Sequence, residues 1–301
     1  MTHPGSMPLI SIILPTYNRG AVIGETLRSI IRQTYTNWEL LVVDDGSADN
    51  TVELMTHYAD ARINILEAGR IGILGRLKNM GIAQANGDLI AFMDSDDLWD
   101  EGKLALQVDA LARYPGAGFC LTGGFSFKKL DEPIDYYYPQ KSGERYGDLL
   151  VPFFRSEIAA LTPSLLFRKT CLDTINGFDE SRLFSDIDFL LKLIARYPGV
   201  ILYAALLYRR LHEENTTNYN WELGYTEYAG LITEYQARGI VQPGIARNAL
   251  FRLFVNYGEK CLRYGHPEKA RRIFRSAWQN KPLSFVAIKK IIKSYLPRPQ
   301  A

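Results

Sequence analysis

The sequence lacks several features that mark whole classes of protein. It has only three cysteines, Cys120, Cys171 and Cys261, an odd number at wide spacing, which argues against a disulfide framework and matches no zinc-site pattern. No window reaches the roughly 18 consecutive apolar residues of a membrane-spanning helix. The N-terminal MTHPGSMP has no basic stretch leading into an apolar run, so we expect no signal peptide. These absences predict a cytoplasmic protein.

Two phosphate-binding loop patterns are also missing. The first apolar run is followed by PTYNRG, with one glycine and one arginine, where a dinucleotide oxidoreductase would have G-x-G-x-x-G. A sugar nucleotidyltransferase would carry a glycine-rich basic loop there, so that class is a weaker alternative. The glycines of GRIGILG (69–75) recur every third residue but follow a later strand.

What is present is an ordinary soluble composition with an uneven charge. The 301 residues are 47% hydrophobic and 23% charged, with a formal net charge of +2. Residues 260–301 hold eleven Lys or Arg against the single acid Glu268, so the rest of the chain is acidic. The basic end indicates either a negatively charged partner or a solvated helix face.

The first 115 or so residues alternate strand-like and helix-like segments. Apolar runs at 9–14, 38–45, 62–66 and 88–93 predict strands, and helical periodicity separates them. Such alternation predicts an α/β fold with a mostly parallel sheet between helices. Ligands bind such sheets beyond the carboxyl ends of the strands. Tyr17-Asn18, Asp44-Asp45 and Asp94–Asp97 follow three of these strands, so we expect them at one edge.

The FMDSDD segment places Asp94, Asp96 and Asp97 within four residues. Crowded carboxylates repel one another unless a cation, a proton or water relieves them. One alternative is that Asp96 or Asp97 caps the helix that follows. The other is that the alternating carboxylates coordinate Mg²⁺ or Mn²⁺, which prefer oxygen ligands and share substrate phosphates. Asp44 and Asp45 precede a turn and could accept hydrogen bonds from a nucleobase or a ribose.

Four segments in this order resemble the family 2 glycosyltransferases. They are SIILPTYNRG, SIIRQTYTNWELLVVDDGSADNT, GDLIAFMDSDDLW and GFDES followed by SDIDFLLKL, within residues 8–212. The resemblance implies the GT-A nucleotide-diphospho-sugar fold and a metal-dependent, inverting sugar transfer. The donor is expected to be a nucleotide-sugar, most commonly a UDP-sugar, with Mn²⁺ or Mg²⁺ as cofactor. The acceptor is a glycan or lipid-linked hydroxyl in bacterial polysaccharide or glycoconjugate synthesis, and no nucleic acid is expected.

The resemblance also implies a role for each site residue. Asp186 is the general base, and Asp96 and His212 are the metal ligands. The nucleotide-binding residues are Pro15, Thr16, Tyr17, Asn18, Asp44, Asp45, Lys78, Asn79, Asp94 and Ser95. Within this set Tyr17 packs on the base and Asp45 binds it.

Two positions depart from the family pattern, and two assigned residues have simpler explanations. Lys78 stands where relatives have arginine, which keeps the charge but loses the planar fork. Ser185 replaces a glutamate beside the base, which removes an acceptor contact. His212 could be an ordinary surface histidine. Asp186 could be an acid favoured at a helix N-terminus, a role that Asp188 serves equally well. A non-catalytic binding protein of the same fold is therefore the alternative function.

We expect a catalytic domain over residues 1–215 and a helical region over 216–301. Residues 256–282 have the rhythm of a helix–turn–helix pair. The sequence has neither Gln-x-x-Arg-Trp nor membrane helices, so we expect the transfer of one sugar rather than processive synthesis. The tail over 283–301 either binds an anionic membrane surface at the inner face or packs on the domain.

Overall fold

The computed structural model describes residues 7–138, 140–159, 161–213 and 220–294. They form two compact units. The first runs to Leu150 and continues over Ile158–Glu213, and the second combines Val151–Glu157 with the residues from Glu214 onward.

The first unit begins with the predicted alternation of strands and helices. Its elements are β1 (Ile10–Thr16), α1 (Ile23–Ile31), β2 (Trp38–Asp44), α2 (Thr51–Thr56), β3 (Ile63–Glu67), α3 (Leu74–Gln84) and β4 (Leu89–Phe92). All residues of β1 and β4 are buried, because helices cover both faces of a sheet built by strand–helix–strand crossovers.

The chain then adds shorter strands and one long one. The elements are β5 (Leu98–Trp99), α4 (Lys103–Arg113), β6 (Phe119–Phe127), β7 (Pro133–Tyr136), β8 (Glu144–Gly147), α5 (Leu150–Phe154), β9 (Leu166–Arg168), α6 (Leu172–Ile175), α7 (Ser185–Ile194) and β10 (Gly199–Arg210). The segment from Gly199 to Arg210 is a single long strand.

The strands form one mixed sheet in the order β3-β2-β1-β4-β9-β6-β10-β5, with β7 beside β6 and β8 beside β10. Strands β3, β2, β1 and β4 are parallel, and β9 is antiparallel to both β4 and β6. Because β10 is parallel to β6, it runs in the same direction as β4. The carboxyl ends of β1, β2, β4 and β10 therefore meet at one edge of the sheet.

An aromatic cluster fixes α7 against this sheet. The rings of Phe178 and Phe189 stack with centroids 4.2 Å apart, and both meet Phe92 edge-on. Phe92 lies two residues before Asp94, and Phe189 three residues after Asp186. Burying each ring stabilises the fold by roughly 1.5–3 kcal/mol, so hydrophobic packing brings these two carboxylates into one region.

The second unit is helical, as expected for the end of the chain. Its helices are α8 (Trp221–Ala237), α9 (Pro243–Arg263), α10 (Pro267–Asn280) and α11 (Phe285–Lys293). Helices α9 and α10 form the predicted helix–turn–helix pair. They approach closely at Gly258, where a Cβ would lie 2.4 Å from the buried Phe274 ring. Among the described residues, no helix combines the length and apolarity needed to cross a membrane.

Candidate active site

The three carboxylates after β4 have different surroundings. Asp97 is buried, and its Oδ1 accepts the backbone N–H of Arg210 at 2.9 Å. Burial raises the pKa of the Asp97 carboxyl well above its usual range, and Asp94 and Asp96 add to the rise. Helix α4 begins only at Lys103, so neither Asp96 nor Asp97 caps it, and that alternative was wrong. Asp97 instead connects the turn formed by Asp94–Asp97, called the acidic turn below, to the end of β10.

This tie brings a distant histidine to the acidic turn. The Arg210 guanidinium donates from Nε to the backbone carbonyl of Asp96 at 3.0 Å and pairs with Glu25 at 2.5 Å. Two residues later, His212 Nε2 lies 2.8 Å from Asp96 Oδ2. The structure thus brings together the two predicted metal ligands.

The pair fits a hard divalent cation that takes its other ligands from a substrate. The Asp96 carboxylate is the type of oxygen ligand that Mn²⁺ and Mg²⁺ prefer, and the His212 imidazole, hydrogen-bonded to it here, could add a nitrogen ligand. Within the described part of the chain, no group of three His, Cys, Asp or Glu residues converges on such a site. A metal held here would need further oxygen ligands, such as those of a diphosphate. Arg19 Nε lies 3.8 Å from the same Asp96 oxygen.

Asp94 lies between this pair and a second charged group. Burial raises the pKa of Asp94 to about 6, while Lys78 opposes the rise and the Asp186 and Asp96 carboxylates add to it. Ser95, beside it, is buried, and its carbonyl accepts a 3.1 Å hydrogen bond from Thr26 Oγ1. Asp94 is therefore the residue through which the two halves of the site interact electrostatically.

The second charged group consists of Asp186, Lys78 and Thr162. Lys78 Nζ lies 2.7 Å from Asp186 Oδ1, and Thr162 Oγ1 donates to Asp186 Oδ2 at 2.9 Å. The Lys78 side chain is 0% exposed, whereas that of Asp186 is 31% exposed. The carboxylate is consequently accessible from solvent while its partners hold it from behind. Thr162 was missed by the sequence reasoning, because it lies in a short 3₁₀ turn with no motif.

Lys78 and Asn79 contact other groups than predicted. Lys78 is fully buried and its Nζ contacts Asp186, so its contact with a nucleotide stays a prediction. The Asn79 side chain donates to the Phe178 carbonyl at 3.0 Å and to Glu180 at 2.9 Å, and it accepts the Phe178 N–H at 2.8 Å. Asn79 thus binds the segment before α7. Lys78 instead contacts Asp186, the residue predicted as the general base, within the first turn of α7.

Ser185 points away from the open side of the site. It is buried, its Oγ has no hydrogen-bond partner, and a Cβ added to Gly75 would lie 2.8 Å from that oxygen. A glutamate at this position would require Gly75 and α3 to shift. Residue 185 therefore offers no contact to an acceptor.

A separate group of residues lies at the ends of β1 and β2. Asp44 organises its own turn, accepting the N–H groups of Gly46 at 3.1 Å and Ser47 at 2.9 Å. Asp45 crosses to the loop after β3, where it accepts the N–H groups of Ile71 at 2.5 Å and Gly72 at 3.0 Å. The two adjacent carboxylates thus have distinct partners.

Tyr17 and its neighbours complete this group. The Tyr17 ring is 38% exposed, and the Arg70 guanidinium lies 3.9 Å above it. Asn18 has a φ of +48°. Its side-chain oxygen accepts the Ala48 N–H at 2.8 Å, which holds Asn18 against the turn after β2, called the β2 turn below. Pro15 and Thr16 are buried beneath. Arg70 was missed by the sequence reasoning, although it stands in the glycine-punctuated GRIGILG segment.

The family model for glycosyl transferase family 2 matches residues 11–166, about half of the chain. The chain belongs to this family. The matched range includes the site residues from Pro15 to Thr162 and leaves out Ser185, Asp186, Arg210 and His212.

Curated relatives support the same assignment. An E. coli UDP-Glc:alpha-D-GlcNAc-diphosphoundecaprenol beta-1,3-glucosyltransferase, WfgD, is 40% identical over 105 residues, covering 35% of this chain and 42% of its own. An uncharacterized glycosyltransferase of Rickettsia typhi is 30% identical over 220 residues, covering 70% and 66% of the two chains. The putative teichuronic acid biosynthesis glycosyltransferase TuaG of Bacillus subtilis is 31% identical over 145 residues, covering 48% and 57%. The chain thus spans less than two thirds of the length of these relatives.

Solved structures confirm the GT-A fold. Staphylococcus aureus TarS 1–349 in complex with UDP-GlcNAc superposes with a TM-score of 0.67 at 19% identity, covering 95% of this chain and 89% of its own. The Pyrobaculum calidifontis mannosyltransferase PcManGT, in complex with GDP-Man and Mn²⁺, superposes with a TM-score of 0.58 at 20% identity, covering 96% and 80%.

Proposed function

We propose that the protein is a metal-dependent, inverting glycosyltransferase that moves one sugar from a nucleotide-diphospho-sugar to a hydroxyl group. The observation that carries the proposal is that the Asp96–His212 pair lies at the same sheet edge as Tyr17 and Asp45, and that Asp94 interacts electrostatically with both Asp96 and Asp186. The donor is a UDP-sugar, consistent with the complex of TarS and the name of WfgD. The acceptor is a glycan or lipid-linked intermediate of surface polysaccharide synthesis. The catalytic domain, expected over residues 1–215, corresponds to the first unit, and the helical region, expected over 216–301, corresponds to the second unit, which also includes Val151–Glu157.

The donor nucleotide binds at the ends of β1 and β2. Tyr17 provides a partly exposed aromatic face for the base, and Asp45 provides a carboxylate for its imide N–H. Asp94 and Ser95 at the end of β4 contact the ribose. Pro15, Thr16, Asn18 and Asp44 shape the pocket from below. This order follows the sheet, because β2, β1 and β4 are adjacent.

Asp96 and His212 would hold Mn²⁺ or Mg²⁺. When bound, such a cation neutralises the charge that develops on a nucleoside diphosphate leaving group. The chain's own contribution is to place a carboxylate and an imidazole at the same point, through the bonds that fasten Arg210 to the acidic turn. The diphosphate is the natural source of the missing oxygen ligands.

Asp186 acts as the general base. Lys78 and Thr162 bind its two oxygens from the buried side, which fixes the carboxylate's orientation. The exposed side can accept the proton of an acceptor hydroxyl as that oxygen attacks the anomeric carbon. A single displacement without a covalent intermediate inverts the anomeric configuration.

A nucleotide-sugar panel tests the proposal directly. Binding and turnover are measured with Mn²⁺, with Mg²⁺ and with EDTA, on the wild type and on Asp96→Ala. We expect metal-dependent binding of a UDP-sugar and slow hydrolysis that the variant loses. Binding without turnover, unaffected by Asp96→Ala or by loss of Asp186, would favour the non-catalytic alternative that the buried Ser185 suggests. A failure to bind any nucleotide-sugar would contradict the proposal.

We also propose that the second unit binds an anionic membrane surface at the inner leaflet, where a lipid-linked acceptor would lie. Helices α10 and α11 and the turn between them expose five large apolar side chains, Trp278, Leu283, Phe285, Val286 and Ile288. Exposed cations flank them at Arg272, Arg275, Lys281 and Lys289. Exposed apolar groups beside basic ones are typical of interfacial binding. Ile291 instead packs on the helical core, so one side of α11 is committed to the fold. The predicted tail residues 295–301 lie outside the described part of the chain.

Vesicle flotation tests this surface. We expect the full chain to float with vesicles containing phosphatidylglycerol and not with pure phosphatidylcholine. The variant Leu283→Ser/Phe285→Ser/Ile288→Ser should remain unbound, whereas Ile134→Ser, which alters an exposed apolar residue of β7, should float like the wild type. Equal flotation of the triple variant would contradict the proposal.

A further inference from the structure

Arg70 engages both of the groups that are proposed to bind the nucleobase. Its guanidinium pairs with Asp45 Oδ2, and its plane covers the Tyr17 ring with Cζ 3.9 Å from the ring centroid. Arg70 thus connects the turn after β1, through Tyr17, with the turn after β2, through Asp45.

A guanidinium and a pyrimidine base make the same two contacts here. Both are planar, both can stack on an aromatic ring, and both offer in-plane N–H groups to a carboxylate. One ring face and one carboxylate oxygen cannot serve both at once. We propose that Arg70 occupies the nucleobase position in the nucleotide-free protein and must leave it when the donor binds. This inference rests on the proposed nucleotide-sugar binding.

The loop around Arg70 allows this exchange. Gly69 and Gly72 have φ values of +66° and +74°, a region that glycine enters without a steric penalty. The Arg70 side chain is 55% exposed, so it reaches water by rotation of its own bonds. Asp45 keeps the backbone N–H groups of Ile71 and Gly72 after Arg70 leaves, so the acceptor remains in place for the base.

The consequence is a competition that weakens nucleotide binding. Two contacts must be broken before the base enters: the ion pair between the exposed Arg70 guanidinium and the buried Asp45 carboxylate, and the cation–π contact with Tyr17. Removing the guanidinium should remove the competitor and leave Tyr17 and Asp45 available. We therefore expect Arg70→Ala to bind the base about tenfold more tightly.

Calorimetric titration with uridine and with UDP plus Mn²⁺ tests the exchange. Uridine reports on the base position without phosphates, so it separates displacement of Arg70 from attraction to the diphosphate. The matched control is Arg76→Ala, an exposed arginine six residues away, which removes the same charge and should leave the affinity for uridine unchanged. Thermal unfolding of the variants verifies that each is folded.

Each result decides the inference. Tighter binding of uridine by Arg70→Ala, with no change in Arg76→Ala, supports it. Unchanged or weaker binding of uridine by Arg70→Ala overturns it while leaving UDP binding by the wild type, and hence the proposed function, intact. Absence of binding of both uridine and UDP in all variants would overturn the inference and the proposed donor together.

Discussion

Two lysines are completely buried in the first unit, and their surroundings differ. Lys78, on α3, has the Asp186 carboxylate 2.7 Å from its Nζ. Lys103, at the start of α4, has the Gln107 amide oxygen at 2.8 Å and the Trp99 ring with its centroid 3.9 Å away. No carboxylate pairs with Lys103 among the described residues, and burial lowers its pKa to about 7.

Lys78 contacts a proposed active-site residue, whereas Lys103 contacts only residues of the protein interior. The partner of Lys78, Asp186, has one side open to solvent, so the charge of Lys78 lies beside a carboxylate that a substrate can reach. Gln107, the partner of Lys103, donates to the carbonyls of Cys120 and Ser164, both buried. The Lys103–Gln107 pair therefore joins α4 to the sheet. Burial alone therefore does not identify a lysine that takes part in catalysis, and the chemical type of the residue that it contacts is the better indicator.

We expect the largest effect from removing the carboxylate that pairs with Lys78. In Asp186→Asn the general base is lost, so we expect the rate of sugar transfer to fall by about 10³-fold, while UDP affinity stays within about twofold. The measurement is kcat and a UDP titration. Asp188→Asn, which alters the neighbouring acid that pairs with Lys192 at 2.6 Å, should keep most of the activity. Equal losses in the two variants would contradict the assignment of Asp186.

Replacing each lysine by methionine tests whether Lys78 and Lys103 differ in their contribution to catalysis. Lys78→Met leaves Asp186 without its counter-charge and its orienting donor, so kcat should fall by about 10²-fold. Lys103→Met should keep kcat within about threefold of the wild type, because Lys103 contacts no site residue. Both are measured at saturating donor. A larger loss of kcat in Lys103→Met than in Lys78→Met would show that the type of contacting residue does not distinguish the two lysines.

The buried Lys103 should make stability depend on pH. Its pKa is lowered from 10.5 to about 7, so between these values the unfolded chain binds a proton that the folded chain lacks. The free energy of unfolding therefore rises with pH in this window, by up to about 1.4 kcal/mol per unit, and the penalty is constant below it. In urea unfolding from pH 7 to 9.5, Lys103→Met should lose this rise. Lys128→Met, an exposed lysine, should retain it.

The smallest effects should come from two hydroxyls beside Asp186. Thr162 Oγ1 is hydrogen-bonded to Asp186, so Thr162→Val should cost about 1–2 kcal/mol of unfolding free energy. Ser185 Oγ has no partner, so Ser185→Ala should change stability by less than about 0.5 kcal/mol. Denaturant titrations compare the two. A larger cost for Ser185→Ala would indicate a hydrogen bond to water at that position.

Local patterns were sufficient for much of the fold. Apolar runs and helical periodicity predicted the strand–helix alternation through β4, because each pattern reflects burial on both faces of a parallel sheet. The same logic placed Tyr17, Asp44-Asp45 and the acidic turn at one edge. The resemblance predicted Asp96 beside His212, and the structure brings them together.

The type of each element and the sheet edge at which polar residues collect were therefore predictable from the sequence, since both follow from neighbours along the chain. Which side chains meet at that edge depends on tertiary packing. Lys78 lies against Asp186, Thr162 joins them, and Arg70 covers Tyr17, because α3, α7 and the loop after β3 pack around the sheet. These contacts join residues tens of positions apart, and no local periodicity encodes them.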